Sequence, residues 1–74
     1  MLNTALAKKR RQQMGLSVAE LGGLVGVAES TLWRWEAGER EPRTTDQLQQ
    51  YARVLGVSVD DLLTGPEELE ASTS

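Results

Sequence analysis

The sequence lacks the residues that most enzymes and metal sites use. Its 74 residues contain no cysteine, no histidine and no phenylalanine, and only two prolines. Without cysteine no disulfide can form, and without cysteine or histidine the usual zinc ligands are missing. The same absences remove the commonest general base and the best thiol nucleophile. We therefore expect no cofactor, no metal ion, no small-molecule ligand and no enzymatic activity.

Long apolar segments are also missing. No apolar run approaches the roughly 20 residues of a membrane-spanning helix, and the N-terminal residues lack the apolar core of a signal peptide. A content of 39% hydrophobic and 26% charged residues is typical of a globular domain. A chain of 74 residues has room for one core, near the size at which a single core is marginal. These features predict a single-domain cytoplasmic protein without membrane contact.

The net charge of −3 is unevenly distributed along the chain. Every lysine and arginine except Arg53 lies in residues 1–43. Three glutamates near the C-terminus equal the whole negative excess, namely Glu67, Glu68 and Glu70. Binding depends on where charge is placed more than on its sum, so the first half remains compatible with an anionic partner. Residues 66–74 are polar and aperiodic, and we expect them to form an acidic, disordered tail.

Glycines and capping residues divide the rest of the chain into five short helices. Ser17 with Glu20, and Thr44 with Gln47, have the spacing of a capping box at a helix start. A glycine follows each of the first four segments, as is common after helix C-termini. No segment alternates like a strand, so the sequence predicts an all-α fold. The predicted helices are Asn3 or Thr4 to Met14, 18–25, Ala28 to Ala37, 45–55 and Val59 to Thr64.

The second and third segments have the pattern of two crossed helices joined by a tight turn at Gly26. Leu21 and Val25 face inward from the first of them, and Leu32 and Trp35 from the second. Gly22 is expected where the two helices pass closely, because a larger side chain would push them apart. This arrangement predicts a helix-turn-helix, whose second helix fits the major groove of DNA.

From Leu6 to Leu63 the chain resembles the Cro/CI (XRE-type) helix-turn-helix family of phage repressors and bacterial regulators. The resemblance implies a compact five-helix bundle of the lambda-repressor-like type over residues 1–65. It also implies double-stranded DNA as the partner. The residues that carry it are Arg11, Gly15-Leu16-Ser17, Glu20-Leu21, Gly26-Val27, Ser30-Thr31-Leu32, Trp35-Glu36-Ala37-Gly38, Pro42, Leu55-Gly56-Val57-Ser58 and Asp61-Leu62-Leu63.

Four residues of the third helix project away from its apolar stripe and are the candidates to contact bases. Arg34 can donate two hydrogen bonds to guanine, the alternative being a solvated or phosphate-bound side chain. Glu29 can accept from cytosine N4, or pair locally with Arg34. Ser30 can contact a base or cap the helix start. Trp33 can pack on a thymine methyl or sugar, or fold back over a neighbouring helix.

Phosphate contacts are expected around the start of the second helix, where backbone N–H groups favour an anion. Such contacts set register and affinity but carry no sequence code, and an ordinary solvated surface is the alternative for each cation. The resembling family usually has Gln at the position of Val18, and valine cannot replace its phosphate contact. The candidates are Ser17, the backbone around Val18, Thr31, Lys8, Lys9, Arg10, Arg40 and Arg43.

The resemblance further implies a structural ion pair and a dimer. In the family an arginine at the position of Arg11 pairs with the glutamate at that of Glu36, which ties the first helix to the third. Related proteins often dimerise through the end of the bundle, here Gly56–Leu63. The implied function is a transcription regulator, in particular a repressor, that binds a near-palindromic operator as a homodimer. The alternatives are a protein-interaction adaptor or an antitoxin with the same bundle.

Overall fold

The computed structural model describes residues 2–63, and that part of the chain is a bundle of five α-helices without strands. The helix boundaries agree with the predicted ones to within one residue where both ends are described. The expectations for Thr64 and for the acidic tail at 66–74 lie outside the described residues. No helix in the described part is long and apolar enough to cross a membrane. The helices are α1 (Thr4–Gln13), α2 (Val18–Val25), α3 (Glu29–Ala37), α4 (Thr45–Leu55) and α5 (Val59–Leu63).

One of the two predicted capping boxes is complete. Glu20 N–H donates to Ser17 Oγ at 3.0 Å, and Ser17 N–H donates to Glu20 Oε1 at 2.9 Å. At α4 only half of the box forms, because Gln47 N–H donates to Thr44 Oγ1 whereas Gln47 Oε1 accepts from the N–H of Arg43. The predicted second capping box was therefore wrong in one of its two hydrogen bonds, the one from the N–H of Thr44 to the side chain of Gln47. Thr44 has a φ of −122° where Ser17 has −77°, so the two helix starts differ in backbone conformation.

The crossing of α2 and α3 depends on two glycines. Gly26 ends α2 with a φ of +90°, a left-handed conformation that glycine adopts without strain. A Cβ atom at Gly22 would lie 3.0 Å from the carbonyl oxygen of Val27, so the predicted close approach at Gly22 is confirmed. Gly23 has open space around the same position, so packing does not require a glycine there. The turn from Gly26 to Ala28 thereby directs α3 across α2.

The core is apolar and collects residues from every helix. Its two largest buried side chains, Trp35 and Tyr51, pack with ring centroids 5.1 Å apart and join α3 to α4. Leu24 follows the apolar pattern of α2 but is 53% exposed, because it lies beyond the face that packs on α3 and α4. The buried side chains are Leu2, Ala7, Val18, Leu21, Val25, Leu32, Trp35, Tyr51, Ala52, Leu55 and Leu62.

Candidate nucleic-acid interface

The outer face of α3 presents the four residues predicted to contact bases. Glu29, Ser30, Trp33 and Arg34 are all exposed, whereas Leu32 on the opposite face is fully buried. Residues three and four apart share a helix face, so these four side chains form one continuous edge along the first two turns. We call this set the reading edge. No other part of residues 2–63 covers it.

The structure distinguishes several of the local alternatives. Trp33 is 55% exposed, so its ring is not packed beneath a neighbouring helix. Glu29 and Arg34 form no ion pair within the described part of the chain. Ser30 does not cap α3, because the N-cap position is Ala28 and no side chain accepts a hydrogen bond there. The reading edge therefore keeps its polar and aromatic groups available.

A cleft of about 470 Å³ lies beside α3 and gathers three arginines. Arg34 contributes from α3, and Arg40 and Arg43 contribute from the loop that leads to α4. None of these guanidinium groups forms an ion pair with a carboxylate of residues 2–63. We call this feature the arginine cleft. Its lining comprises Gly26, Val27, Ala28, Thr31, Arg34, Trp35, Arg40, Glu41, Arg43 and Gln47.

The sequence did not identify Glu41 and Gln47 as part of this cleft. Glu41 looked like one charge in a polar loop, and Gln47 was assigned only to a capping box. Both reach the cleft because the loop turns back from α3 onto the start of α4, which sequence periodicity does not reveal. The only signal for Gln47 was its place in the first turn of α4, where side chains lie near exposed backbone N–H groups.

Arg10, a predicted phosphate contact, also has hydrogen-bond partners within the domain. Its Nε donates to the carbonyl oxygen of Leu55 at 2.9 Å, and its Nη1 donates to Gln13 Oε1 at 3.0 Å. The last carbonyl groups of a helix carry partial negative charge, so a guanidinium is favoured at this end of α4. Arg10 therefore caps α4 through one of its donors, and its phosphate contact stays a prediction. Periodicity could not show this contact because it joins residues 45 positions apart.

The start of α2, where phosphate contacts are predicted, carries a carboxylate beside its backbone N–H groups. The side chain of Val18 is 5% exposed and belongs to the core, so a phosphate contact there is confined to its backbone. The backbone N–H of Ser17 donates to the carboxylate of Glu20 and lowers the pKa of that carboxyl. Glu20 thus carries its negative charge beside the N–H groups that would receive an anion. Lys8 and Lys9 remain exposed on α1.

The ion pair predicted between α1 and α3 is present. Arg11 Nε lies 2.6 Å from Glu36 Oε2, and Arg11 Nη2 donates to Glu36 Oε1 at 3.1 Å. Arg11 Nη1 also donates to the carbonyl oxygen of Leu16, just before α2. One guanidinium thereby links α1, α3 and the entry to α2. This contact fixes the orientation of α3 from its inner side.

Comparison with known proteins identifies the family. A model of the helix-turn-helix domain matches residues 4–64. The DNA-binding domain of the P22 C2 repressor is 32% identical with a TM-score of 0.76, and the match covers 85% of this chain and 82% of that domain. The chain therefore belongs to the helix-turn-helix domain family and, within it, to the Cro/CI (XRE) type of DNA-binding domain.

Two further similar proteins are a regulator solved with DNA and a longer enzyme that contains a similar segment. SinR, a master regulator for biofilm formation solved in complex with DNA, is 34% identical with a TM-score of 0.70. That match covers 78% of this chain and 92% of SinR. The (S)-2-hydroxypropylphosphonic acid epoxidase of Streptomyces wedmorensis is 40% identical over 57 residues. This second match covers 77% of the chain but 29% of the epoxidase, so the chain spans less than a third of that enzyme's length.

Proposed function

We propose that the protein is a sequence-specific transcription regulator, acting as a repressor, that inserts α3 into the major groove of its operator. The observation that carries the proposal is the exposed reading edge beside the three arginines of the arginine cleft. The similarity of the chain to the P22 C2 repressor domain and to SinR supports the same role. A regulator of DNA works in the compartment that holds the DNA, so the cytoplasmic location remains part of the proposal.

In this proposal the reading edge supplies the base contacts. Arg34 donates two hydrogen bonds to O6 and N7 of a guanine, the commonest specific contact in the major groove. Glu29 accepts from a cytosine N4, and Ser30 donates to or accepts from a neighbouring base. Trp33 packs its exposed ring on a thymine methyl or a sugar. Each hydrogen-bonded pair contributes roughly 1–3 kcal/mol of discrimination against a wrong base.

The arginine cleft supplies most of the phosphate contacts. Arg40 and Arg43 sit beyond the end of α3 without a carboxylate partner among the described residues, and Thr31 lies next to them. Lys8, Lys9, Ser17 and the backbone of Val18 approach the opposite strand. Each phosphate neutralised releases a counterion, so binding should weaken steeply as the salt concentration rises.

We also propose that two copies bind a near-palindromic operator. One domain with four base-reading side chains contacts too few bases to find a unique site, whereas two-fold pairing places two copies of α3 about 34 Å apart along the groove. The surface around Gly56–Leu63 is the proposed contact, and Leu63 on it is 36% exposed. Sedimentation equilibrium of the protein with and without a two-half-site duplex tests the stoichiometry.

The central test is selection of binding sites from a random DNA pool, followed by a titration of the selected duplex at several salt concentrations. A regulator should enrich one motif and bind it with a negative slope of log K against log salt. It should also keep the motif bound in the presence of an excess of unrelated DNA. Failure to enrich any motif, together with equal binding to all duplexes, would contradict the proposal.

The second candidate is a protein-interaction adaptor, or an antitoxin that uses the same bundle to hold a protein partner. The specific observation in its favour is the identity to part of an epoxidase, a protein named for a reaction and not for DNA binding. The exposed Trp33 would then anchor a protein partner. In this case neither a DNA motif nor a steep salt slope should appear. We assign no catalytic role to the domain, because the match leaves most of that enzyme uncovered.

A further inference from the structure

The first described residue of the chain is bound to the loop that leaves α3. Leu2 N–H donates to Glu41 Oε1 at 2.8 Å, a contact between residues 39 positions apart. The Leu2 side chain is 6% exposed and packs in the core, and Asn3 N–H donates to the carbonyl oxygen of Leu62. Leu2 and Asn3 are therefore fixed between the loop and α5, and the backbone N–H of Leu2 is bound to the carboxylate of Glu41.

The acidic residue that this donor binds lies among the cations of the arginine cleft. Glu41 follows Arg40 directly and precedes Arg43 by two residues, and all three line the cleft. Despite this, Glu41 forms no ion pair with either arginine in the described part of the chain. Glu41 also lines a second cleft, of about 410 Å³, together with Leu2, Thr4 and Arg40. Between the two clefts, the hydrogen-bond partner of its carboxylate is the backbone N–H of Leu2.

We propose that the backbone N–H of Leu2 is a positioning group for phosphate binding, because it holds the Glu41 carboxylate away from the guanidinium groups of Arg40 and Arg43. A hydrogen bond to an ionised acceptor is stronger than one between neutral groups. A released carboxylate would compete with phosphates for the two guanidinium groups and would repel the DNA backbone. This inference rests on the proposed function, since it concerns the same phosphate contacts.

Two conservative variants of Glu41 distinguish the effect of where its carboxylate lies from the effect of its charge. Glu41→Asp keeps the charge but shortens the side chain by one methylene, so the carboxylate can no longer reach Leu2 N–H in its present place. Glu41→Gln keeps the length and the acceptor oxygen but removes the charge. Glu41 is exposed, so both variants should fold, and circular dichroism with urea unfolding checks this. Both are compared with the wild-type chain by fluorescence anisotropy on the selected duplex.

We expect Glu41→Asp to bind about two- to fivefold more weakly, the range that corresponds to an exposed ion pair competing with DNA. The slope of log K against log salt for this variant should be shallower by roughly 0.9, the change that corresponds to the loss of one phosphate contact. Glu41→Gln should bind at least as tightly as the wild type. A merely structural role would lower the stability of both variants without a difference in salt slope between them.

A second pair of variants tests the donor itself. Leu2→Ala and Leu2→Pro both lose the leucine side chain, but only proline lacks the backbone N–H. Leu2→Pro should bind DNA more weakly than Leu2→Ala, and this difference should disappear when Glu41→Gln is added to both. If Glu41→Asp folds and binds like the wild type, or if the proline and alanine variants bind alike, the positioning role is refuted while DNA binding stands. If the wild-type chain binds no duplex, the proposed function and this inference both fail.

Discussion

Arg11 and Glu36 form a bidentate ion pair between α1 and α3, with Nε to Oε2 at 2.6 Å and Nη2 to Oε1 at 3.1 Å. Their side chains are 11% and 3% exposed, so water screens the pair only weakly. The pair lies on the inner side of the helix whose outer side is the reading edge. A change here therefore alters the orientation of α3 without touching any residue that would meet DNA.

Replacing one partner of this ion pair should lower the free energy of unfolding far more than replacing both partners. Arg11→Met leaves the Glu36 carboxylate buried without a counter-ion, and we expect a loss of about 3 kcal/mol in the free energy of unfolding. The double variant Arg11→Met, Glu36→Leu should recover most of that loss, because no unpaired charge remains. Urea unfolding followed by circular dichroism measures both. Equal stability of the single and double variants would show that the buried charge is not the cause.

The two adjacent glycines of α2 should respond in opposite directions to the same substitution. Gly22→Ala places a methyl group 3.0 Å from the carbonyl oxygen of Val27, a backbone atom that cannot move away freely. We expect it to destabilise the domain by about 1–3 kcal/mol. Gly23→Ala meets open space and restores helix propensity, so it should stabilise by about 0.5–1 kcal/mol. Thermal unfolding of the pair provides a matched comparison, and equal shifts would contradict the packing argument.

The hydroxyl of Tyr51 is buried and lacks a hydrogen-bond partner among residues 2–63. Tyr51→Phe removes this unsatisfied group and should stabilise the fold by about 1 kcal/mol at pH 7. Burial raises the pKa of Tyr51 well above its usual value, and the nearby Glu36 carboxylate raises the pKa further.

This pKa shift makes the contribution of Tyr51 depend on alkaline pH. The unfolded chain releases the phenol proton near pH 10, whereas the folded chain retains it to higher pH. The contribution of Tyr51 to the free energy of unfolding is therefore fully present below about pH 10. It is lost as the pH rises above that value, by up to about 1.4 kcal/mol per pH unit. The advantage of Tyr51→Phe over the wild type should grow from pH 9.5 to pH 11 in urea titrations. A constant difference over that range would exclude Tyr51 as the titrating group.

Arg34→Ala should abolish specific retardation of the selected duplex. The loss of one bidentate contact to guanine corresponds to roughly 1–3 kcal/mol, which is about a 5- to 150-fold decrease in discrimination. Helicity should not change, because Arg34 is exposed. Arg53→Ala is the matched control: it removes an exposed arginine from α4, outside the arginine cleft. Unchanged base preference in Arg34→Ala, measured by repeating the site selection, would remove Arg34 from the base contacts.

Local chemistry explains why most of the fold could be predicted. Glycines with positive φ and side-chain caps act over three to five residues, so the limits of α2 followed from the sequence. The two alternatives for Trp33 stayed open until the structure showed its side chain exposed. The close approach at Gly22 followed from the same local pattern. The contacts that the sequence did not predict join partners that lie far apart in the chain. Arg10 binds Leu55 across 45 positions, and no periodicity links these two residues.

The sequence by itself determined the five helices, the crossed pair α2 and α3, and the outward edge from Glu29 to Arg34, because helix periodicity and capping are local properties of the backbone. Only the tertiary structure decided which arginine side chains have hydrogen-bond or ion-pair partners within the described residues. In the folded chain Arg10 binds the end of α4, and Arg40 and Arg43 lie beside Arg34 in one cleft. The carboxylate of Glu41 binds the backbone N–H of Leu2. Long charged side chains reach several ångströms from their backbone, so their partners are fixed by the packing of the helices and not by their neighbours in sequence.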